Sequence, residues 1–186
     1  MASVLQQTPK KVVSLINRTQ GNPLPNWYVF HTCPRAEKVV YHELERRHYD
    51  VFLPLTKTLR VWKNRQRKWI EQVLFPGYIF INTYQYKLYD ITRVPKVVSY
   101  VHCAGKPSIV PLKDLEGIKK ILGMGQTVSV DIQFFEGEKV KIVRGPLMGH
   151  EGILIKQKGK TKFGIQLKEI NQTILIEINT SVLEKL

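Results

Sequence analysis

Two groups of residues have types and spacings that could do chemistry, and both point to binding rather than bond making. The first is a run of cations, Lys57, Arg60, Lys63, Arg65, Arg67 and Lys68, with Trp62 and Trp69 among them and no acidic residue from 51 to 70. Cations at that density neutralise phosphates, and the interleaved indoles mark a contact surface, because solvated tails are poor in aromatics. The second is Leu74-Phe75-Pro76-Gly77-Tyr78-Ile79-Phe80-Ile81, whose rings could anchor a protein partner. Catalysis has no comparable constellation, because the carboxylates are scattered singly and no nucleophile is spaced with a base. A metal could draw on His31, Cys33, His102 and Cys103, but these pairs lack the Cys-x-x-Cys spacing of zinc sites and read as satisfied core residues. The sequence implies no enzyme, no metal and no cofactor.

Composition agrees with a binding role. At 186 residues the chain allows one ordinary domain or two small ones. Its formal charge of +14 suits an anionic partner, of which nucleic acid is the usual one. The excess is uneven: residues 26–122 hold 17 basic and 8 acidic side chains, residues 123–186 only 9 and 7. No apolar run approaches the ~20 residues of a membrane span, and the amino terminus lacks the apolar core of a secretory signal. Two cysteines suit a reducing compartment better than a disulfide framework. These features predict a cytoplasmic protein without a membrane partner.

The elements that must position these residues follow from periodicity. Residues 1–25 show none that is sustained, and Gly21-Asn22-Pro23-Leu24-Pro25 breaks the chain, so a mobile basic tail is expected there. Trp27-Tyr28-Val29-Phe30-His31 reads as strand, and a helix follows with Pro34 in its first turn and Ala36, Val39, Val40 and Leu44 in register. Val51–Leu55 resumes strand, and the basic cluster falls where two strands turn. Pro76-Gly77 marks a bend, after which Ile79 and Ile81 face one way and Tyr78 and Phe80 the other. If helices cover the isoleucine face, the aromatic face is left for a partner. A second helix spans Tyr84–Thr92, a strand spans Val97–Val101, and a third helix starts at Pro111. This order predicts an antiparallel-rich α+β sheet with helices packed on it. Beyond a linker at 123–133 come short β-branched strands, Lys139–Val143, Gly152–Gln157, Phe163–Leu167 and Thr173–Ile178, the signature of a small barrel at 134–186.

Trp27-Tyr28-Val29, Leu74-Phe75-Pro76-Gly77-Tyr78 and Val94-Pro95-Lys96-Val97 resemble the amino-terminal domain of the NusG family of transcription factors. Glu136-Gly137-Glu138-Lys139-Val140-Lys141-Ile142, with Gly145-Pro146 and Gly149-His150-Glu151-Gly152, resembles the KOW motif of that family's SH3-like barrel. Gly105–Pro111 and the closing Glu184-Lys185-Leu186 lean towards the specialised paralogues, RfaH and the UpxY proteins of capsule operons. The resemblance implies an elongation and antitermination factor that suppresses pausing and termination, on specific long operons such as surface polysaccharide loci. Residues 26–122 would grip the RNA polymerase clamp helices through His31, Phe75, Tyr78, Phe80 and Tyr100. The non-template DNA strand would meet Tyr86, Lys87 and Arg93, together with the basic cluster.

The sequence also departs from the family. The loop that would offer an aromatic ring to Rho and to the ribosome carries Ile170 and Asn171 instead. That removes Rho as a partner and leaves a ribosomal contact through the KOW domain. The β-branched run Thr173-Ile174-Leu175-Ile176 predicts a carboxy-terminal domain that stays a barrel rather than refolding to helices. The alternative reading is a KOW-containing ribosomal or other RNA-binding protein.

Overall fold

Alternation along β1 (Asn26–Thr32) sends Trp27 and Val29 to one face of a sheet and Tyr28 and Phe30 to the other, and all four are buried. A strand that is apolar on both sides must be covered twice. In the computed structural model, which describes residues 24–62, 65–125, 128–131, 137–157 and 160–186, β1 occupies the middle of an antiparallel sheet. One edge pairs with β5 (Tyr78–Thr83), which pairs in turn with β2 (Asp50–Phe52). The other edge is shared by β6 (Val97–Tyr100) and β9 (Ile109–Val110). The expected tail at 1–25 lies, except for its last two residues, outside the described residues.

Each face has its own cover. Tyr28, Phe30, Ile79 and Ile81 are closed by Val40 and Leu44 of α1 (Glu37–Arg46) and by Leu88 and Ile91 of α2 (Leu88–Thr92). Trp27, Val29 and Phe80 share a cluster with Leu115, Ile118 and Ile121 of α3 (Leu112–Gly123). Lys119 of α3 stands 5.3 Å from the Trp27 ring centroid and 5.0 Å from that of Phe52, which sets the helix across this face. The α+β expectation is met, but the aromatic face is not left bare for a partner. The apolar stripe of α3 is tethered next to it in the same chain and fills it first.

The Pro76-Gly77 bend is held by a buried carboxylate. Gly77 takes a φ of +83°, a conformation that only glycine adopts freely. Its N–H donates to Glu37 Oε1 at 2.7 Å, and its carbonyl accepts the Thr32 N–H at 2.9 Å. Glu37, 5% exposed, opens α1, so one side chain ties that helix to the turn before β5. Between β2 and this bend, β3 (Leu55–Val61) and β4 (Arg67–Val73) form a hairpin of their own that does not pair with the main sheet. A two-residue pair, β7 (His102–Cys103) with β8 (Lys106–Pro107), leads on to β9.

The remaining strands make one six-stranded antiparallel sheet. Its order is β10 (Ser129–Asp131), β14 (Gln172–Glu177), β13 (Lys160–Leu167), β12 (Glu151–Gln157), β11 (Glu138–Ile142) and β15 (Leu183–Lys185). The β-branched run at 173–176 is strand, as expected. Residues 129–131, expected within the linker, instead pair with Thr173–Leu175. Three residues are too few for a period of two to show in the sequence.

α3 also carries this second sheet. A Cβ at Gly117 would lie 2.8 Å from both His150 Cδ2 and Ile165 Cδ1, so the carboxy-terminal domain reaches the helix only because the residue is glycine. Glycine in a helix interior costs ~1 kcal/mol relative to alanine, a cost offset here by contact. Lys113 Nζ meets Glu151 Oε1 at 3.0 Å, and Met124 packs against the core cluster that includes Ile142, Leu147 and Ile176. Asp114 and Glu169 act on each other across the same contact. Burial pushes both carboxyls above their usual range; the Asp114 charge pushes Glu169 further, while Lys113, His150 and Lys168 pull Asp114 back. Glu169 Oε2 is buried with no hydrogen-bond partner.

Two outcomes test this packing. Glu37→Gln keeps an acceptor for the Gly77 N–H and should stay near parental stability. Glu37→Ala should lose about 1–3 kcal/mol in urea unfolding; an equal loss in both variants would assign the effect to charge instead. At Glu169, a raised folded pKa means that the folded state holds its proton more tightly. Its contribution is therefore favourable at low pH and is lost as pH rises from the ordinary value of 4.5 through the raised one. Glu169→Gln removes that titration, so the variant should gain thermal stability over the parent as pH rises from 4.5 to neutral. Parallel profiles would show that Glu169 is solvated.

Candidate nucleic-acid and protein interfaces

The hairpin turn is closed by Trp62 N–H to Gln66 O and Arg65 N–H to Trp62 O, both 2.9 Å, with Arg65 at a φ of +61°. Pairing of Leu59 with Trp69 and Arg60 with Lys68 sets the register. Alternation then places Lys57, Arg67, Trp69 and Glu71 on one side of the ribbon and Lys68 on the other. Arg65, Arg67 and Lys68 are exposed, and none forms an ion pair among the described residues. Trp62 and Trp69 are 56% and 65% exposed. Lys63 lies outside the described residues, and Arg60 is placed by its backbone pairing alone. The expected cation cluster is therefore split between two faces and a tip, because a strand cannot present neighbouring side chains on the same side.

At the far end of β5, the residues assigned to DNA fall in two aromatic–cation groups, one around Tyr84 and one around Tyr89. Tyr84 and Tyr86 stack with ring centroids 5.4 Å apart and planes at 17°. Lys87 Nζ lies 5.9 Å from the Tyr84 ring, and the Arg93 guanidinium lies 4.8 Å over Tyr89. Tyr86, Tyr89 and Arg93 are exposed. The sequence reading missed Tyr84 and Tyr89 as members of this patch. The spacing of Tyr86, Tyr89 and Arg93 on one side of a helical segment was the available signal. Six residues of β5 separate the root of the hairpin from these tyrosines, about 20 Å of strand.

The protein-facing residues do not form the single face expected. His31 and Tyr78 are ladder partners with ring centroids 4.7 Å apart, both half-buried on the Phe80 side of the sheet. Burial lowers the His31 pKa, so its imidazole is neutral at pH 7. Phe75 and Phe80 are fully buried, edge to face at 5.9 Å, with Phe52 tilted against Phe80 at 6.1 Å. They belong to the core cluster that also holds Leu115, Ile118 and Ile121 of α3. Tyr100 pairs with Phe30, its ring edge-on at 6.3 Å, and therefore lies on the face covered by α1 and α2. The ladder shifts register only beyond that pair, between His31 and Thr32, where Val97 rather than Val98 opposes Thr32.

The loop expected to meet a second partner is also changed in character. Lys168–Ile170 forms one 3-10 turn that directs Ile170 inward, leaving it 6% exposed in the core cluster. Asn171 is exposed, with a φ of +53°. Cys33, His102 and Cys103 are exposed rather than core. Among the described residues, no three His, Cys, Asp or Glu side chains are grouped to hold a metal ion.

Comparison with known proteins matches this geometry to a family. The family model described as "Transcription termination factor nusG" matches residues 25–122, the domain that carries the hairpin and both aromatic patches. The chain is 31% identical over 155 residues to the "Transcription termination/antitermination protein NusG" of Streptococcus pyogenes, covering 76% of this chain and 86% of that protein. It is 27% identical over 176 residues to the protein of the same name from Halalkalibacterium halodurans, covering 87% and 98%. A solved structure described as "Domain interaction in Thermotoga maritima NusG" shares the fold, with a TM-score of 0.52 at 20% identity over 87% of this chain and 97% of that one. The family match spans more than half of the residues, and the chain belongs to the NusG family of transcription termination/antitermination proteins.

Proposed function

We propose that this chain rides on RNA polymerase during elongation, bound to the clamp helices and to the non-template DNA strand, and suppresses pausing and termination. The observation that carries the reading is the pairing, in one small domain, of a half-buried His31–Tyr78 strip with exposed cations at Arg65, Arg67 and Lys68 that form no ion pair among the described residues. The first suits a protein contact, the second a phosphate backbone. Residues 26–122 form the polymerase-binding unit, with Phe52 and Val101 next to the strip on the same side of the sheet. Phe75 and Phe80 support that surface from beneath.

No bond is made or broken. A polymerase whose clamp opens and closes is shifted towards the closed, active state by a ligand that binds that state more tightly, and only by that difference in affinity. The exposed Tyr86, Tyr89 and Arg93 would hold the displaced DNA strand, so that the protein braces both protein and nucleic-acid parts of the elongation complex. Service to a few long operons, such as surface polysaccharide loci, is supported by the Gly105–Pro111 and Glu184–Leu186 segments, which resemble the specialised paralogues. Mapping occupancy along the genome tests it: enrichment over one or a few long operons is expected, and uniform occupancy of transcribed genes would overturn it.

In the carboxy-terminal domain, a partner approaching Lys168–Asn171 meets polar groups and backbone rather than a ring, because Ile170 is turned into the core. A ribosomal contact built on strand pairing survives that change, whereas a pocket that needs an aromatic anchor is left empty.

Tyr78→Ala should weaken polymerase binding by about thirtyfold, the ~2 kcal/mol typical of a truncated interface aromatic, with the thermal midpoint preserved. Phe80→Ala should instead unfold the domain at lower denaturant, as removing a buried aromatic costs ~3–5 kcal/mol. Normal polymerase binding by a folded Tyr78→Ala variant would remove the strip from the interface. In run-off transcription with Rho present, adding the protein should leave stop positions unchanged or lengthen transcripts. Earlier stops would show that Rho is recruited without a ring at position 170.

A further inference from the structure

We propose that the carboxy-terminal barrel carries, beneath α3, a receptor site for an amphipathic helix of a partner protein, and that α3 fills it as an imperfect internal ligand. The helix that fits best has glutamine where α3 has Asp114 and glycine three residues later. The inference is independent of polymerase docking and of nucleic-acid binding. Its starting point is the unevenness of the contact between α3 and the barrel, which is tight at Gly117 and loose one turn earlier.

At Gly117 the barrel presents His150 and Ile165, both buried, so close that the three atoms nearest to an added Cβ would be theirs. Three residues earlier, beside Asp114, lies a cavity of about 260 Å³ whose barrel wall includes Glu151, Ile165 and Lys168. A water molecule takes up about 30 Å³ of the liquid, so the space beside Asp114 holds a much longer side chain than aspartate. Residues three apart share one side of a helix. A helix therefore meets this site with a long side chain first and none at all three residues later.

The polar atoms that the barrel leaves open here are acceptors. His150 Nδ1 lies 3.1 Å from the Leu147 carbonyl oxygen, which places the proton of the neutral ring on Nδ1 and leaves Nε2 as a bare acceptor. That Nε2 and Glu169 Oε2 are both buried without a hydrogen-bond partner among the described residues. α3 meets them with a further acceptor, Asp114, whose carboxylate interacts with His150 and repels that of Glu169. Lasting contacts pair such atoms, so α3 holds this face weakly. A glutamine amide brings two N–H donors and no charge. Lysine or arginine would donate as well, but Lys139 and Lys168 already border the cavity and would repel it.

The test uses the full chain and three fluorescent peptides of residues 110–125: the parental sequence, Asp114→Gln, and Asp114→Gln with Gly117→Leu. Helices of this length are marginal in water, a penalty common to all three, so only their differences are read. In fluorescence anisotropy the Asp114→Gln peptide should bind roughly tenfold tighter than the parental one, a single tenfold step of about 1.4 kcal/mol, and the added Gly117→Leu should abolish binding. Glu169→Ala in the chain should erase most of the preference for glutamine. Asp114→Gln in the chain should tighten the internal contact and weaken capture of the same peptide. Gly117→Leu in the chain should release the barrel and improve capture, with the amino-terminal domain still folded by circular dichroism. Amide NMR shifts should move at His150, Ile165 and residues 168–170. Equal binding of the three peptides, or shifts confined to the amino-terminal domain, would overturn the proposal. So would failure of every peptide to bind the Gly117→Leu chain, since the face would then accept only its own helix.

Discussion

One helix carries two sheets. α3 lays Leu115, Ile118 and Lys119 against the Trp27 face of the amino-terminal sheet, while Asp114, Gly117 and Met124 turn towards the carboxy-terminal one. Asp114 and Gly117 lie three residues apart and so share one side of the helix. The absent side chain at Gly117 brings the two units within contact distance. Without that notch, His150 and Ile165 would stand off by the thickness of a methyl group, and the close packing on which dispersion depends would be lost.

This double duty explains where the proposed binding surfaces are. With both faces of the central sheet covered by its own helices, the rings best suited to a partner, Phe75 and Phe80, are consumed as core. What remains for recognition lies at the margins: the His31–Tyr78 strip at one end of β5, the tyrosine group beyond the other, and the ribbon that stands off the sheet. The proposed surfaces lie at the periphery because folding claims the centre. The cationic excess of the first domain follows the same division, since Arg65, Arg67, Lys68 and Arg93 are exposed.

How much of this could be read in the sequence depends on the range of the forces involved. The alternation of Ile79 and Ile81 against Phe80 is local, and the structure keeps it. The fate of Phe80 was set by a helix some thirty residues further on, a tertiary fact that no local period contains. Tyr100 pairs with Phe30, seventy residues earlier, and that long-range pairing sets which face its ring takes, which no local period contains. β10 escaped notice because its three residues become strand only when β14 pairs with them. Ile170 is apolar, and a single 3-10 turn decides whether it faces a partner or the core.

Among the described residues, the β3–β4 ribbon joins a core cluster at its root, where Leu55 and Val73 pack and the Leu74 N–H bonds to Pro54 O at 2.9 Å. Beyond that root, its side chains support neither hydrophobic cluster described here. A segment freed from such duty can change residue by residue without endangering the rest of the molecule. Selection can therefore rewrite what the ribbon recognises while the scaffold stays fixed, and divergence among relatives should accumulate fastest in those two strands.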